Sequence, residues 1–425
     1  MGLKGKHHGF EHDTFGPMVV DQYAGSAHRR ALLFLGTALL GCGAWEDAGR
    51  NHHRAEPQEA ERAAFEPSGR VAARATAVSG KRDETRGGGE ASGNARRVDY
   101  VVLVTVDGLA PRFLAPLVEG GYLPAFRALQ DAGAWTHNAR TDYEVSVTLP
   151  NHTSVFTGRP VSPSEGVAVE AYHGYTANSQ PSPDATLHDT GNPALPYVQG
   201  VFDVVHDNGM KTCFLAGKDK FVVFEQSWGE RFGAPDLVGE DNGRDKLDEV
   251  LIAHGNTPLL IDTLLQMQAA RPCNLLYLHV TDPDGMGHSV GWGSDPWLTL
   301  LRDIDVWIGR VFRQITSDER LEGRTALILT ADHGGEGQAH SDASNPHNYT
   351  VPFYVFAPGV PGGSDLYGLL RGRRFDPGSS RPTYASPRQP IRNGDAGPLA
   401  LELLGLPPLP GATMGHLGLV TTGAR

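Results

Sequence analysis

The chain has 425 residues, 40 % hydrophobic and 20 % charged, a globular composition whose length suits one large domain or two smaller ones. Its net charge of −12 excludes a basic surface for wrapping a phosphate backbone, so no binding to a nucleic-acid duplex is expected. A small anionic substrate is not excluded, because bound cations invert the local field.

At the N-terminal end, His28, Arg29 and Arg30 precede the apolar stretch Ala31–Gly41. It is too short for a membrane span of about 20 residues and has the length and flanks of a signal-peptide core. Leu39-Leu40-Gly41-Cys42 resembles a bacterial lipobox. Residues 1–42 therefore read as a signal and lipobox segment, with Met18 as an alternative start. Export is expected, to the periplasm or as a membrane-anchored lipoprotein, with any membrane contact through a lipid anchor on Cys42 alone. Residues 43–97, rich in Ala, Arg, Glu and Gly, read as a disordered tether. No C-x-x-C pattern exists, which excludes thiolate zinc and dithiol redox chemistry. Cys213 and Cys273 are expected as two buried free thiols that would pair only on export.

The folded part is expected over 98–425. VDYVVLVTVDG (98–108), NLLYLHVTDPD (274–284) and TALILTADHGG (325–335) are near-continuous apolar runs with the length of strands buried on both faces. Helices are predicted at Pro124–Ala132, which stops at Gly133, at Tyr197–Asn208, and from Asp295, where Leu301, Ile304, Ile308, Val311 and Ile315 share one face. A further helix is predicted from Pro150, with Thr148 at its cap. Residues 159–195 and 372–394 are irregular, the first a long loop or small cap. Alternating strands and helices predict an α/β fold. It is a three-layer α/β/α sandwich with a mostly parallel central sheet and loop or cap insertions.

Each predicted strand ends in ligand chemistry: Asp107 after the first, Asp284 with His288 after the second, Asp332 with His333 after the third. In open α/β sheets ligands bind beyond the carboxyl ends of the strands. Singly, each Asp-Gly can be a turn. Jointly, three carboxylates at one edge would repel without a counter-charge, and Asp with His suits zinc or a similar divalent ion. A two-metal centre follows as the expectation.

VDG, T-x-PNH…TG, PDxxGH and TADHGG, in that order, resemble the alkaline phosphatase superfamily in its nucleotide pyrophosphatase/phosphodiesterase branch, from about Val98 to Gly415. The resemblance implies two zinc ions. Asp284, His288 and a later histidine would hold one; Asp107, Asp332, His333 and Thr148 would hold the other. His340, followed by Ser341, is favoured as the later histidine, with His347 as the alternative. It further implies a covalent phosphothreonine at Thr148 and cleavage of phosphodiester or nucleotide pyrophosphate bonds, with phosphomonoester hydrolysis as the alternative and a non-catalytic binding protein as the least favoured. Thr148 cannot form the aldehyde that sulfatases make from Cys or Ser. The helix N–H groups and the Asn151 amide are expected to meet the phosphoryl oxygens. Lys218, Lys220, Arg112, His173 and Trp292 are candidate substrate contacts, each also readable as packing or surface, and His152 reads as structural.

Overall fold

The computed structural model describes residues 98–163, 168–415 and 417–419. The signal, lipobox and tether expectations lie outside these residues. In chain order the elements are β1 (Tyr100–Val106), α1 (Pro111–Glu119), α2 (Pro124–Ala132), β2 (Ala134–Arg140), α3 (Thr148–Thr157), α4 (Leu187–Thr190), α5 (Val201–Asp207), β3 (Thr212–Ala216), α6 (Val222–Trp228) and β4 (Glu249–Ile252). There follow α7 (Thr257–Ala270), β5 (Leu275–Val280), α8 (Asp282–Val290), α9 (Asp295–Ser317), β6 (Thr325–Thr330), α10 (Pro346–Tyr349), β7 (Thr350–Phe356), β8 (Ser364–Asp365), α11 (Leu366–Leu369) and α12 (Ala396–Leu404). Among the described residues, no helix is long and apolar enough to cross a membrane.

The strands form one sheet in the order β4-β3-β5-β1-β6-β7-β2-β8, and β7 alone runs against the rest. The three apolar runs are its centre. β5 and β6 flank β1 in parallel, with Val106 opposite Val280 and Thr105 opposite Thr330. Their side chains are almost wholly buried, as strands covered on both faces must be. Helices α3, α5 and α12 pack together against the sheet, while α1, α2, α7, α8 and α9 form a second group. This is the expected α/β/α sandwich.

Two helix starts differ from expectation. α5 begins at Val201, because the Gly200 N–H donates to Asp203 Oδ2 at 2.8 Å and closes the helix end there. α3 begins at Thr148 itself, with Val147 in the cap position. Every residue of α3 is buried, so it runs through the core rather than over it. Its C-terminal Gly158 takes φ 60°, and a Cβ there would meet Pro398 at 2.6 Å. Cys213 and Cys273 form a disulfide that joins β3 to the segment entering β5, which corrects the expectation of free thiols. Cys213 lies on β3 and Cys273 two residues before the neighbouring β5, with Cα atoms 6.0 Å apart, within bonding range.

Candidate metal centre and its nucleophile

The aligned ends of β5, β1 and β6 bring Asp284, Asp107, Asp332 and His333 to one edge of the sheet. All four are buried. Asp284 and His288 lie one turn apart on α8, and the loop after β6 returns His340 to them. Asp284 Oδ1 lies 3.3 Å from His288 Nε2 and 3.4 Å from His340 Nε2, and the two histidine nitrogens are 3.1 Å apart. Ligand atoms around a tetrahedral zinc with bonds near 2 Å are separated by about 3.3 Å. A second group adjoins it. His333 Nε2 lies 3.2 Å from Asp107 Oδ1 and 3.2 Å from Asp332 Oδ2.

The hydrogen bonds leave one atom of each residue facing inward. Asp332 Oδ1 accepts the N–H groups of Gly108 and His333, and Asp107 Oδ2 accepts from His279 Nε2 and the Lys218 ammonium. Asp284 Oδ2 accepts from Lys218 at 2.6 Å. His288, His333 and His340 each turn Nδ1 to a backbone carbonyl, of Gln338, Gly334 and Ser146 respectively. That fixes Nδ1 as the donor and leaves the Nε2 lone pair free. Asp107 Oδ1, Asp284 Oδ1, Asp332 Oδ2 and His333 Nε2 consequently have no hydrogen-bond partner while buried. Other buried side-chain atoms without a partner lie singly elsewhere in the fold, whereas these four gather at one point on acidic and imidazole groups, so they fit cations between them. By contrast, the group of His206, Asp207 and Asp236 encloses the buried Lys246 ammonium and leaves no such orphan.

Charge crowding shows in the titration of the same groups. Burial and then the neighbouring Asp107 charge push Asp332 up to about 8. Burial opposes charge on His333, but Asp332 and Asp107 raise it to about 9. Burial also works against the Asp107 carboxylate, yet Lys218, His279 and His333 hold it well below the usual range. Burial, then the His333 charge, lowers His340 to about 3.

Thr148, 1 % exposed, stands at the N-terminal end of α3. Its hydroxyl is not spent on capping. The Leu149 N–H donates to Asn178 Oδ1 at 3.0 Å, Pro150 has no N–H, and the Asn151 N–H donates to Val147 O. The Thr148 N–H is therefore the first-turn donor without a partner among the described residues, and the expectation of several helix N–H groups facing an anion is corrected. Thr148 Oγ1 accepts from Lys218 Nζ at 3.5 Å. Behind it runs a buried chain: Thr105 Oγ1 lies 2.6 Å from the Tyr277 hydroxyl and 2.9 Å from His152 Nε2, and His152 Nδ1 donates to the Thr148 carbonyl at 2.8 Å.

Asn151 is placed differently from its expected role. Its amide hydrogens go to Val145 O and Val147 O, and its Oδ1 accepts from the Asp142 N–H and from Asn393. It staples the loop before α3 and has no donor left for a substrate. Asn178 faces Thr148 instead. Its Oδ1 accepts from Leu149 and from Lys220 Nζ at 2.9 Å, and its Nδ2 has no partner among the described residues. Lys218 and Lys220 thus both stand at the centre. His347 does not: it is 40 % exposed and lies 3.6 Å from Glu336 Oε1, whereas His340 is 7 % exposed and inside. His173 is bound to Ser154 and the Tyr175 N–H in the core, and Arg112 to Gly335 O and Glu336. Trp292, 6 % exposed, has no face free for a base.

Sequence reading passed over His279, Asn178 and Asn393. His279 had a signal, an imidazole inside the apolar strand LLYLHV. Asn178 and Asn393 lie in irregular stretches and acquire meaning only by contact. Asn393 Nδ2 joins Asn151 Oδ1 to the Asp332 carbonyl, tying α3 to the end of β6.

The sheet order and the ligand-bearing edge define an alkaline phosphatase-type fold. The human ectonucleotide pyrophosphatase/phosphodiesterase 5 structure shares it, with 14 % identity, a TM-score of 0.51, and coverage of 76 % of this chain and 100 % of that one. The model of the type I phosphodiesterase/nucleotide pyrophosphatase family matches residues 101–165 and 222–348. Ectonucleotide pyrophosphatase/phosphodiesterase family member 1 of Mus musculus is 26 % identical over 238 residues, 55 % of this chain and 24 % of that protein. The Homo sapiens counterpart is 26 % identical over 239 residues, 55 % of this chain and 23 % of its own length. These matches support the nucleotide pyrophosphatase/phosphodiesterase-like branch of the alkaline phosphatase superfamily as the group this chain resembles, over residues 101–165 and 222–348. The chain spans about a quarter of the length of these curated relatives.

Proposed function

We propose that the protein is a metal-dependent hydrolase of phosphoric ester or anhydride bonds with Thr148 as nucleophile. The observation that carries this reading is the set of four buried, partnerless ligand atoms beside an uncapped threonine hydroxyl. Asp284, His288 and His340 would hold one divalent cation, and Asp107, Asp332 and His333 with Thr148 the other; zinc suits this donor set, and the ions supply positive charge that favours ionised oxygens.

The chain's own residues do the rest. His152 and the Tyr277–Thr105 pair hold the Thr148 backbone from behind, so Oγ1 keeps one position. Thr148 Oγ1 attacks phosphorus as the leaving-group oxygen departs, which forms a phosphothreonine. Water then breaks the Oγ1–P bond, returning phosphate or a phosphomonoester and the threonine hydroxyl. Asn178 Nδ2, the Thr148 N–H and the Lys218 and Lys220 ammonium groups are placed to meet the phosphoryl oxygens.

The family match supports phosphodiester or nucleotide pyrophosphate substrates. A second reading, phosphomonoesters, draws on Lys218 and Lys220, since a dianionic monoester gains more from two ammonium groups than a monoanionic diester. Turnover of bis-p-nitrophenyl phosphate against p-nitrophenyl phosphate decides between them. Thr148→Ala should lower turnover of either by about 10³-fold or more with zinc content retained. Near-wild-type turnover in that variant rules out the nucleophile. Export is supported by the Cys213–Cys273 disulfide, which belongs to an oxidising compartment.

A further inference from the structure

We infer that Trp292 is a positioning residue that sets both cation groups at once. The inference rests on the two-cation reading above. Trp292 carries no ligand atom, yet it touches the segments that carry Asp107, Asp284 with His288, and Asp332 with His333 and His340. Its indole N–H donates to the Gly108 carbonyl at 2.8 Å, next to Asp107. Its ring lies against Gly287, beside His288, and against Gly335, two residues past His333. A Cβ would come within 2.5 Å of the ring at Gly287, 2.2 Å at Gly335 and 3.2 Å at Gly108. The ring centroid is 5.3 Å from that of His288 and 5.9 Å from that of His340. Its backbone N–H donates to Gly337 O at 2.8 Å, which holds the loop leading to His340.

Three glycines, one from each of these three segments, therefore share one indole as their common wall. The close approach explains why glycine stands at 287 and 335, where the backbone does not take a positive φ and would otherwise accept any residue. Removing the ring frees all three segments together, so the two groups should loosen together rather than one at a time. Residues that orient ligands in this way commonly change metal affinity by 10–100-fold.

The test measures zinc affinity of the full chain by competition with a chromophoric chelator, together with bound zinc per chain by elemental analysis. Wild type is compared with Trp292→Phe, Trp292→Ala and Trp228→Phe. Trp228 is the control: it is also buried and its indole N–H also donates to a backbone carbonyl, Val198 O, but it packs on Phe156 at the far end of α3, away from the segments that carry the Asp and His groups. Trp292→Phe should weaken binding of both zinc ions about 10-fold and Trp292→Ala about 100-fold. Trp228→Phe should lower the melting temperature and leave zinc affinity unchanged. Affinity within twofold of wild type in Trp292→Phe, or an equal loss in Trp228→Phe, overturns the inference. Where Trp292→Ala does not fold, Trp292→Phe, which keeps a ring between the glycines, decides. A wild-type chain that binds no zinc overturns the two-cation reading itself, a result distinct from equal binding by wild type and variant.

Discussion

At the residue scale, the centre is built from divided side chains, each with one polar atom held by the protein and one left facing inward. His340 and His347 show the difference. His340 donates Nδ1 to the Ser146 carbonyl and offers Nε2 to Asp284 and His288, whereas His347 stands beside Glu336. We expect His340→Ala to lose about one zinc per chain and most activity, and His347→Ala to keep both; elemental analysis of the two proteins checks it. The residue scale also contains a pH device unrelated to the centre. Burial lowers His173 from its ordinary 6.5 to about 3, and the nearby Arg159 adds to this. The folded state binds this proton less tightly than the unfolded chain, so the contribution to stability is full above pH 6.5 and lost as pH falls toward 3. His173→Gln should flatten the decline of the urea midpoint over that window. An unchanged slope would show that His173 takes no part. The candidate ligand residues were legible beforehand, because Asp and His after an apolar strand have few other uses in such numbers. Asn151 was misread because composition does not show where an amide's two hydrogens go.

Elements turn those residues toward one another. β1, β5 and β6 were legible as apolar runs, since a central parallel strand cannot afford polar positions on either face. β2, with Thr136, His137 and Asn138 in AWTHNAR, and the five-residue β3 lack that signature, and pairing with β7 and β5 makes them strands. β3 matters for the centre because Gly217 and Lys218 follow it directly. The disulfide ties this strand to the start of β5 across a sequence separation of 60. Closing such a loop stabilises a fold by about 2–4 kcal/mol through the unfolded chain. The double variant Cys213→Ser/Cys273→Ser should lose stability of that order in chemical denaturation. A loss below about 0.5 kcal/mol would mean that the cross-link constrains little beyond what the sheet already does.

On the scale of the whole molecule, the centre concentrates uncompensated charge inside the fold. Asp107, Asp284 and Asp332 face one another; among the described residues Lys218 is the one lysine paired with them, through Asp107 and Asp284, and in the proposed reading cations would supply the remaining charge. Chelation should therefore abolish turnover and lower the melting temperature, and zinc should restore both; calorimetry with parallel assays checks it. Turnover that persists in metal-free protein would exclude the two-cation reading. The sequence by itself determined the α/β class, the strands at the heart of the sheet and six candidate ligand side chains, because burial on both faces and ligand chemistry restrict which residue types can stand at a position. Only the tertiary structure decided that Thr148 opens its helix uncapped, that Asn178 rather than Asn151 turns toward it, that His340 rather than His347 reaches Asp284, and that Lys218 lies between the carboxylates. Those outcomes depend on which hydrogen-bonding groups distant segments bring together, and no local pattern in the chain encodes that pairing.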